Sequence, residues 1–232
     1  FVMAEARAAT PLMPLCLFHN PALRGGLALS ALVSTVMMTT LVVGPFYLSR
    51  ALGLHPAAVG MVMSVGPAVV ALSGLPAGRL VDQLGTPRVV LPGLVAMLGG
   101  AVVLAALPAT AGVPGYLTGI VVTTLGYALF QTANNTAIMQ GVQADQRGVI
   151  SGMLNLSRNL GLITGTSVLG SVFALAAGGS HVVAAPPEAV AYGMRTTFTV
   201  ATVLILIALG ITVVSRGPAM RVAPLTPSRQ PR

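Results

Sequence analysis

The sequence predicts an all-α membrane protein with six transmembrane helices, and three observations carry that reading. Mean hydropathy is +0.89. The chain is 55% hydrophobic and only 7% charged, whereas an ordinary soluble domain is about 25% charged. Six mostly apolar runs follow one another, each of about the 20 residues that cross a bilayer core as a helix. The runs also sort by polarity. Runs one and four are the most polar, and three and six are almost purely aliphatic. The order polar, mixed, lipid-like therefore occurs twice, as expected of two inverted three-helix repeats.

Residues 1–23 read as an interfacial connector. They mix Glu5 and Arg7 with Pro11, Pro14 and Pro21, and three prolines forbid one long helix. The apolar residues suit a segment lying along the membrane surface. No small-residue cleavage site follows a single apolar core, so this is not a signal peptide. The chain starts at Phe1 rather than Met, which is the expectation for a piece of a longer protein. Residues 24–216 form the predicted bundle, and 217–232 a proline- and arginine-rich cytoplasmic tail expected to be disordered.

The first run, about Gly25 to Leu48, carries Ser30, Ser34, Thr35, Thr39 and Thr40; Gly44-Pro45 should bend it, and Tyr47 is an interfacial anchor. The second, about Ala57 to Ala77, starts after Pro56 and has a predicted kink at Gly66-Pro67. The third spans about Val89 to Leu107. The fourth, about Pro114 to Met139, places Tyr127, Gln131, Asn134 and Asn135 on one helical face. Carboxamides are costly against lipid, so this face meets either neighbouring helices or a solute-lined cavity.

The fifth run, about Ile150 to Ala177, spaces Ser157, Gly161 and Gly165 by four, a small-xxx-small pattern that lets helix backbones touch. It also holds Arg158. A guanidinium so far from a helix end must snorkel, pair or face a watery cavity. Asp82 and Asp145 are the carboxylates available to it, and direct contact with a solute is the other reading. A weakly polar loop, Gly178 to Gly193, leads to the sixth run, about Thr196 to Ser215.

Between runs two and three lies Gly78-Arg79-Leu80-Val81-Asp82-Gln83-Leu84-Gly85-Thr86-Pro87-Arg88, predicted as a tight turn on an aqueous face. Gly78 should let two helix ends approach, and Gly85 can take the positive φ of a sharp turn. Asp82 can meet a helix N-terminus or an arginine. Pro87 would open the next helix without losing a needed N–H. Arginines mark the sidedness. Arg7, Arg24, Arg79, Arg88, Arg147, Arg216, Arg221, Arg229 and Arg232 share one face, while Arg50 and Arg195 lie on the other. The positive-inside rule then makes both termini cytoplasmic.

Other classes are excluded. The formal charge is +8, but the arginines are dispersed and there is no Trp to interleave with them, so no nucleic-acid partner is expected. Cys16 is the one cysteine and has no metal-ligand neighbours, so neither a disulfide nor a metal or other cofactor is expected. His19, His55 and His181 stand isolated in loops, with no nucleophile–base arrangement, so the protein does not read as an enzyme.

The pattern Gly78-x-Leu80-x-Asp82-x-x-Gly85-x-x-Arg88 resembles the cytoplasmic loop motif of major facilitator transporters, with Gln83 and Thr86 where basic residues usually stand. The resemblance covers about residues 5 to 216. Glu5-x-Arg7, Pro11-Leu12 and Leu15-Cys16-Leu17-Phe18 are similar to the connector before the last six helices of the fourteen-helix drug:proton antiporter branch. Tyr47-Leu48, Gly53, Pro56, Gly60 and Gly66-Pro67 follow in that branch's order. Arg147-Gly148, Ser151-Gly152, Asn155, Arg158, Gly161 and Gly165 resemble the start of its penultimate helix. Ser49 departs from it, since a glutamine commonly follows the Tyr-Leu pair.

This resemblance implies half of a major facilitator fold: the C-terminal half of an efflux transporter for hydrophobic, drug-like compounds working by alternating access in the cell membrane. Its partners would be the lipid bilayer, a small hydrophobic solute and the missing N-terminal half. The branch's proton-coupling carboxylates lie largely in that other half. In agreement, Glu5, Asp82, Asp145 and Glu188 all fall outside the apolar runs. The resemblance thus implies a gating role for Gly78, Arg79, Asp82, Gly85 and Arg88. Two alternatives remain: transport of another small metabolite, and a truncated membrane protein that only packs against partners.

Overall fold

A computed structural model describes residues 21–140, 142–179 and 185–215. Residues 1–20 of the expected connector and the expected tail lie outside these. Six helices result: α1 Pro21–Phe46, α2 Pro56–Leu84, α3 Thr86–Ala105, α4 Gly112–Met139, α5 Arg147–Ala176 and α6 Pro187–Ser215. All six are long and apolar enough to cross a membrane.

The helix pairs in contact show the predicted repeat. Helices α1 and α5 pack together, as do α4 and α2; α3 packs on α4, as α6 does on α1; α2 meets α3, as α5 meets α6. Exchanging α1 with α4, α2 with α5 and α3 with α6 maps every such pair onto another observed pair. The fold is therefore two three-helix units related by an internal exchange. In it α1 and α4 are central, α3 and α6 pack on each other, and α2 and α5 flank the core.

Several boundaries differ from those expected. The turn expected at 78–88 is a single residue, Gly85, because Gly78 to Leu84 complete α2 and Thr86 begins α3. Gly85 adopts φ 82 and ψ 153, open essentially to glycine alone, and Pro87 sits in the first turn of α3. Gly78 brings no helix ends together: a Cβ there would meet nothing within 4 Å. Helix α6 begins at Pro187 rather than Thr196. Pro187 suits a first helical position, and Glu188 complements the dipole of that first turn. Arg195 thus lies in α6 rather than a loop, and its Nε donates to the Leu107 carbonyl at 2.9 Å.

Where Gly44-Pro45 is expected to bend α1, the α-helix runs through Pro45 to Phe46. Pro45 has no N–H to give the ladder, and the helix widens into a π-turn at Tyr47–Ala51, where Leu52 N–H reaches the Tyr47 carbonyl at 3.1 Å. In α2, Pro67 and Pro76 are absorbed within one continuous helix.

Two glycine seams lock the bundle. On α5, Gly161 faces the backbone of Ala31, and a Cβ on Gly165 would lie 2.5 Å from the Thr35 carbonyl oxygen of α1. Ser157 Oγ donates to the Leu27 carbonyl at 2.6 Å, and Thr35 Oγ1 to the Gly161 carbonyl at 3.0 Å. Between α3 and α4, Gly93, Gly100, Gly119 and Gly126 play the same part.

Candidate functional site

Helices α1, α2, α4 and α5 line a half-open cavity of about 210 Å³. Its walls are mostly apolar, with Met37 and Leu41 from α1, Val62, Met63 and Val70 from α2, Ile120 from α4 and Leu162 from α5. Polar atoms come from Thr40, Thr124, Tyr116 and Tyr127. Gly66 and Pro67 thin the α2 wall, since a Cβ on Gly66 would stand 3.9 Å from both Ile120 and Thr124. The predicted kink pair therefore lies on the cavity wall.

An aromatic pair stands behind the cavity wall at Tyr116. Tyr116 is buried and stacks on Tyr47 at 5.7 Å between ring centroids. Its hydroxyl meets the Met63 sulfur at 3.7 Å. A Cβ on Gly44 would fall 2.5 Å from that hydroxyl, so the glycine beside Pro45 makes room for the ring.

The polar face of α4 divides. Tyr127 lines the cavity. Asn134 is buried instead against α1, where its Nδ2 donates to the Gly26 carbonyl at 3.1 Å. Gln131 and Asn135 turn toward α5. Their carboxamides are 3.2 Å apart, and Arg158 donates through Nη2 and, at 3.1 Å, through Nε to the Gln131 oxygen. A guanidinium can only donate, so the atom facing it is the carboxamide oxygen. Neither Asp82 nor Asp145 pairs with Arg158; Gln131 does.

At the α2–α3 junction, Arg79, Asp82 and Arg88 are exposed, Gly85 is half-buried, and none of the three charged groups forms an ion pair among the described residues. The same end of the bundle holds the α4–α5 connection with Asp145. Sequence reasoning missed most of the cavity wall, notably Met63, Tyr116 and Leu162, because an apolar side chain facing a cavity looks the same in sequence as one facing lipid. Tyr127, on the polar face of the fourth run, and the Gly66-Pro67 pair carried the signals. On α1, Ser30, Ser34 and Thr39 are buried with hydroxyls that find no partner among the described residues.

Residues 27–231 match the family model described as Major Facilitator Superfamily. The chain is 33% identical to the drug efflux pump JefA of Mycobacterium tuberculosis over 174 residues, which is 75% of this chain and 34% of JefA. It is 26% identical to the multidrug efflux pump LfrA of Mycolicibacterium smegmatis over 178 residues, 75% of this chain and 34% of LfrA. The riboflavin transporter RibZ of Clostridioides difficile shares 31% over 130 residues, 56% of this chain and 28% of RibZ. Among solved structures, a peptide transporter of the POT type superposes with a TM-score of 0.64 and 22% identity, covering 93% of this chain and 41% of that one. The chain thus spans about a third of these curated relatives' length. With its exchange-related three-helix units and a family match over most of its length, this multi-pass membrane chain belongs to the Major Facilitator Superfamily.

Proposed function

We propose that the chain is the C-terminal half of a secondary active efflux transporter. It would move hydrophobic, drug-like compounds by alternating access in the cell membrane, with proton coupling in the complete protein. The cavity between α1, α2, α4 and α5 carries this reading. Its wall of methionine, aliphatic and tyrosine side chains suits an apolar solute, whose burial is worth about 25 cal/mol per Å². Methionine adapts its shape to varied partners, which favours a broad range of solutes. The relation to the drug efflux pumps JefA and LfrA supports this reading.

Coupling is assigned to the rest of the transporter. Asp82, Asp145 and Glu188 all sit at helix ends or in connections, so the described residues offer no intramembrane carboxylate to exchange a proton. The α2–α3 junction, with Arg79, Asp82, Gly85 and Arg88, is the gating element in this proposal. Gly78 adds only helix continuity.

Binding tests the cavity directly. The 232-residue chain in phosphatidylcholine nanodiscs should bind dansyl amides saturably, and Met63→Trp, which fills the cavity, should weaken binding about tenfold. Non-saturable partitioning, untouched by Met63→Trp, would defeat the cavity reading. A second reading, transport of a small metabolite, is favoured by the relation to RibZ. Competition by riboflavin but not by lipophilic drugs would select it.

A further inference from the structure

We infer that Arg158 gives the cavity an anion-recognising end, so that the solute it suits carries a carboxylate on an apolar body. This rests on the cavity being the solute site. Helix α5 is 30 residues long, and Arg158 stands in its fourth turn, about 17 Å from its start. A helix of about 45 Å overshoots a hydrocarbon core of about 30 Å, so with α5 centred Arg158 lies about 10 Å inside the hydrocarbon from the end at which the helix starts.

Its neighbours do not neutralise it. Gln131 takes two of the five N–H donors with a neutral oxygen, and Asn135 extends the same carboxamide pair. No carboxylate among the described residues pairs with it. Arg158 is half-buried as a residue, and no described residue is partnered with its remaining donors. An uncompensated cation at this depth is costly unless an anion or a watery cavity meets it.

The placement joins this charge to the cavity. Leu162, one helical turn beyond Arg158, and Tyr127, one turn before Gln131, both line the cavity wall. The charge therefore sits about 6 Å past the cavity on both helices. A solute whose apolar body fills the space beside Tyr127 and Leu162 can present a carboxylate to the remaining guanidinium edge. Planar guanidinium matches carboxylate geometry, and the carboxamide of Asn135 can add a donor.

A matched pair of probes tests this: dansylglycine, with its carboxylate, and dansylglycinamide, without it, titrated into the chain in phosphatidylcholine nanodiscs. The acid should bind at least about tenfold tighter than the amide, and Arg158→Gln should bring that ratio to about one, with Arg158→Lys between. Benzoate, but not benzamide, should displace dansylglycine from the unmodified chain, a measurement that stands even where a variant fails to fold. Equal affinities in the unmodified chain, with Met63→Trp still weakening both probes, would overturn the anion end and leave the cavity standing. That is also the outcome if Arg158 serves only a carboxylate from the remainder of the transporter. A preference that survives Arg158→Gln would overturn it too. Absence of saturable binding of either probe would remove the cavity reading and this inference together.

Discussion

Gly93 of α3 and Gly126 of α4 lie backbone to backbone: a Cβ on Gly126 would fall 2.6 Å from the Gly93 carbonyl oxygen, and one on Gly93 would fall 3.0 Å from that of Gly126. Two turns further on, Gly100 meets Thr123 and the Gly119 carbonyl. Each helix carries its glycines seven residues apart, two turns, so they recur on one face of an antiparallel pair.

Because the obstacles here are backbone atoms, no side-chain rotation relieves them. Gly126→Val should therefore destabilise the bundle by about 1–3 kcal/mol or more, with loss of folded protein on heating. Differential scanning fluorimetry in detergent checks this. An unchanged melting temperature would show that α3 and α4 separate more easily than their contact implies.

Gly85 and Gly78 make opposite predictions seven residues apart. Gly85→Ala forces a side chain into φ 82, ψ 153 and should cost about 1–3 kcal/mol. Gly78→Ala meets nothing within 4 Å and lies inside α2, so it should be neutral or stabilise by about 0.5–1 kcal/mol. The unfolding midpoint should fall for Gly85→Ala and hold or rise for Gly78→Ala. Equal shifts would overturn the assignment of the turn to Gly85 alone.

These contrasts show what the sequence made legible. Six spans, their order and the positive-φ glycine could be read because hydropathy length and glycine chemistry act locally. The α5 seam at Ser157, Gly161 and Gly165 could be read from its spacing. The α3–α4 seam could not, since glycines seven apart resemble ordinary membrane-helix composition. The partner of Arg158 was likewise hidden. Charge alone suggests a carboxylate, whereas the fold sets Gln131 beside it. Asn134 and Gln131 share one polar stripe in sequence, yet packing sends Asn134 to α1 and Gln131 to α5.

That divergence predicts separable phenotypes. Asn134→Ala loses a buried interhelical hydrogen bond to Gly26 and should lower stability by about 0.6–2 kcal/mol, with probe affinity little changed. Tyr127→Ala removes cavity wall and should weaken dansyl-amide binding instead. Reversed effects in unfolding and titration experiments would reassign the two residues.

Sidedness is testable at exposed positions on the two ends of the bundle. Gln83 lies near the α2–α3 junction, and His55 caps the opposite end of α2. With Cys16 replaced by Ser, Gln83→Cys should resist impermeant thiol reagents in intact cells, and His55→Cys should label. The arginine asymmetry gives that orientation. The reverse labelling pattern would invert it.

Asp82 sits in the last turn of α2, where a carboxylate opposes the negative end of the helix dipole, and it forms no ion pair among the described residues. Its charge therefore does little to hold this chain together. Asp82→Asn should leave the unfolding of the chain within about 0.5 kcal/mol of the parent. In the proposed gate, by contrast, the same carboxylate acts in only one access state, against groups beyond the described residues. Losing even about 1.4 kcal/mol there changes the ratio of access states tenfold. Asp82→Asn in the complete transporter should thus slow turnover while leaving solute affinity in a locked conformation nearly unchanged. Arg79→Gln and Arg88→Gln, both exposed at the same junction, should share that signature if they belong to the gate. Should Asp82→Asn instead abolish binding in the locked state with turnover per bound solute intact, the residue belongs to the solute path and not to the gate.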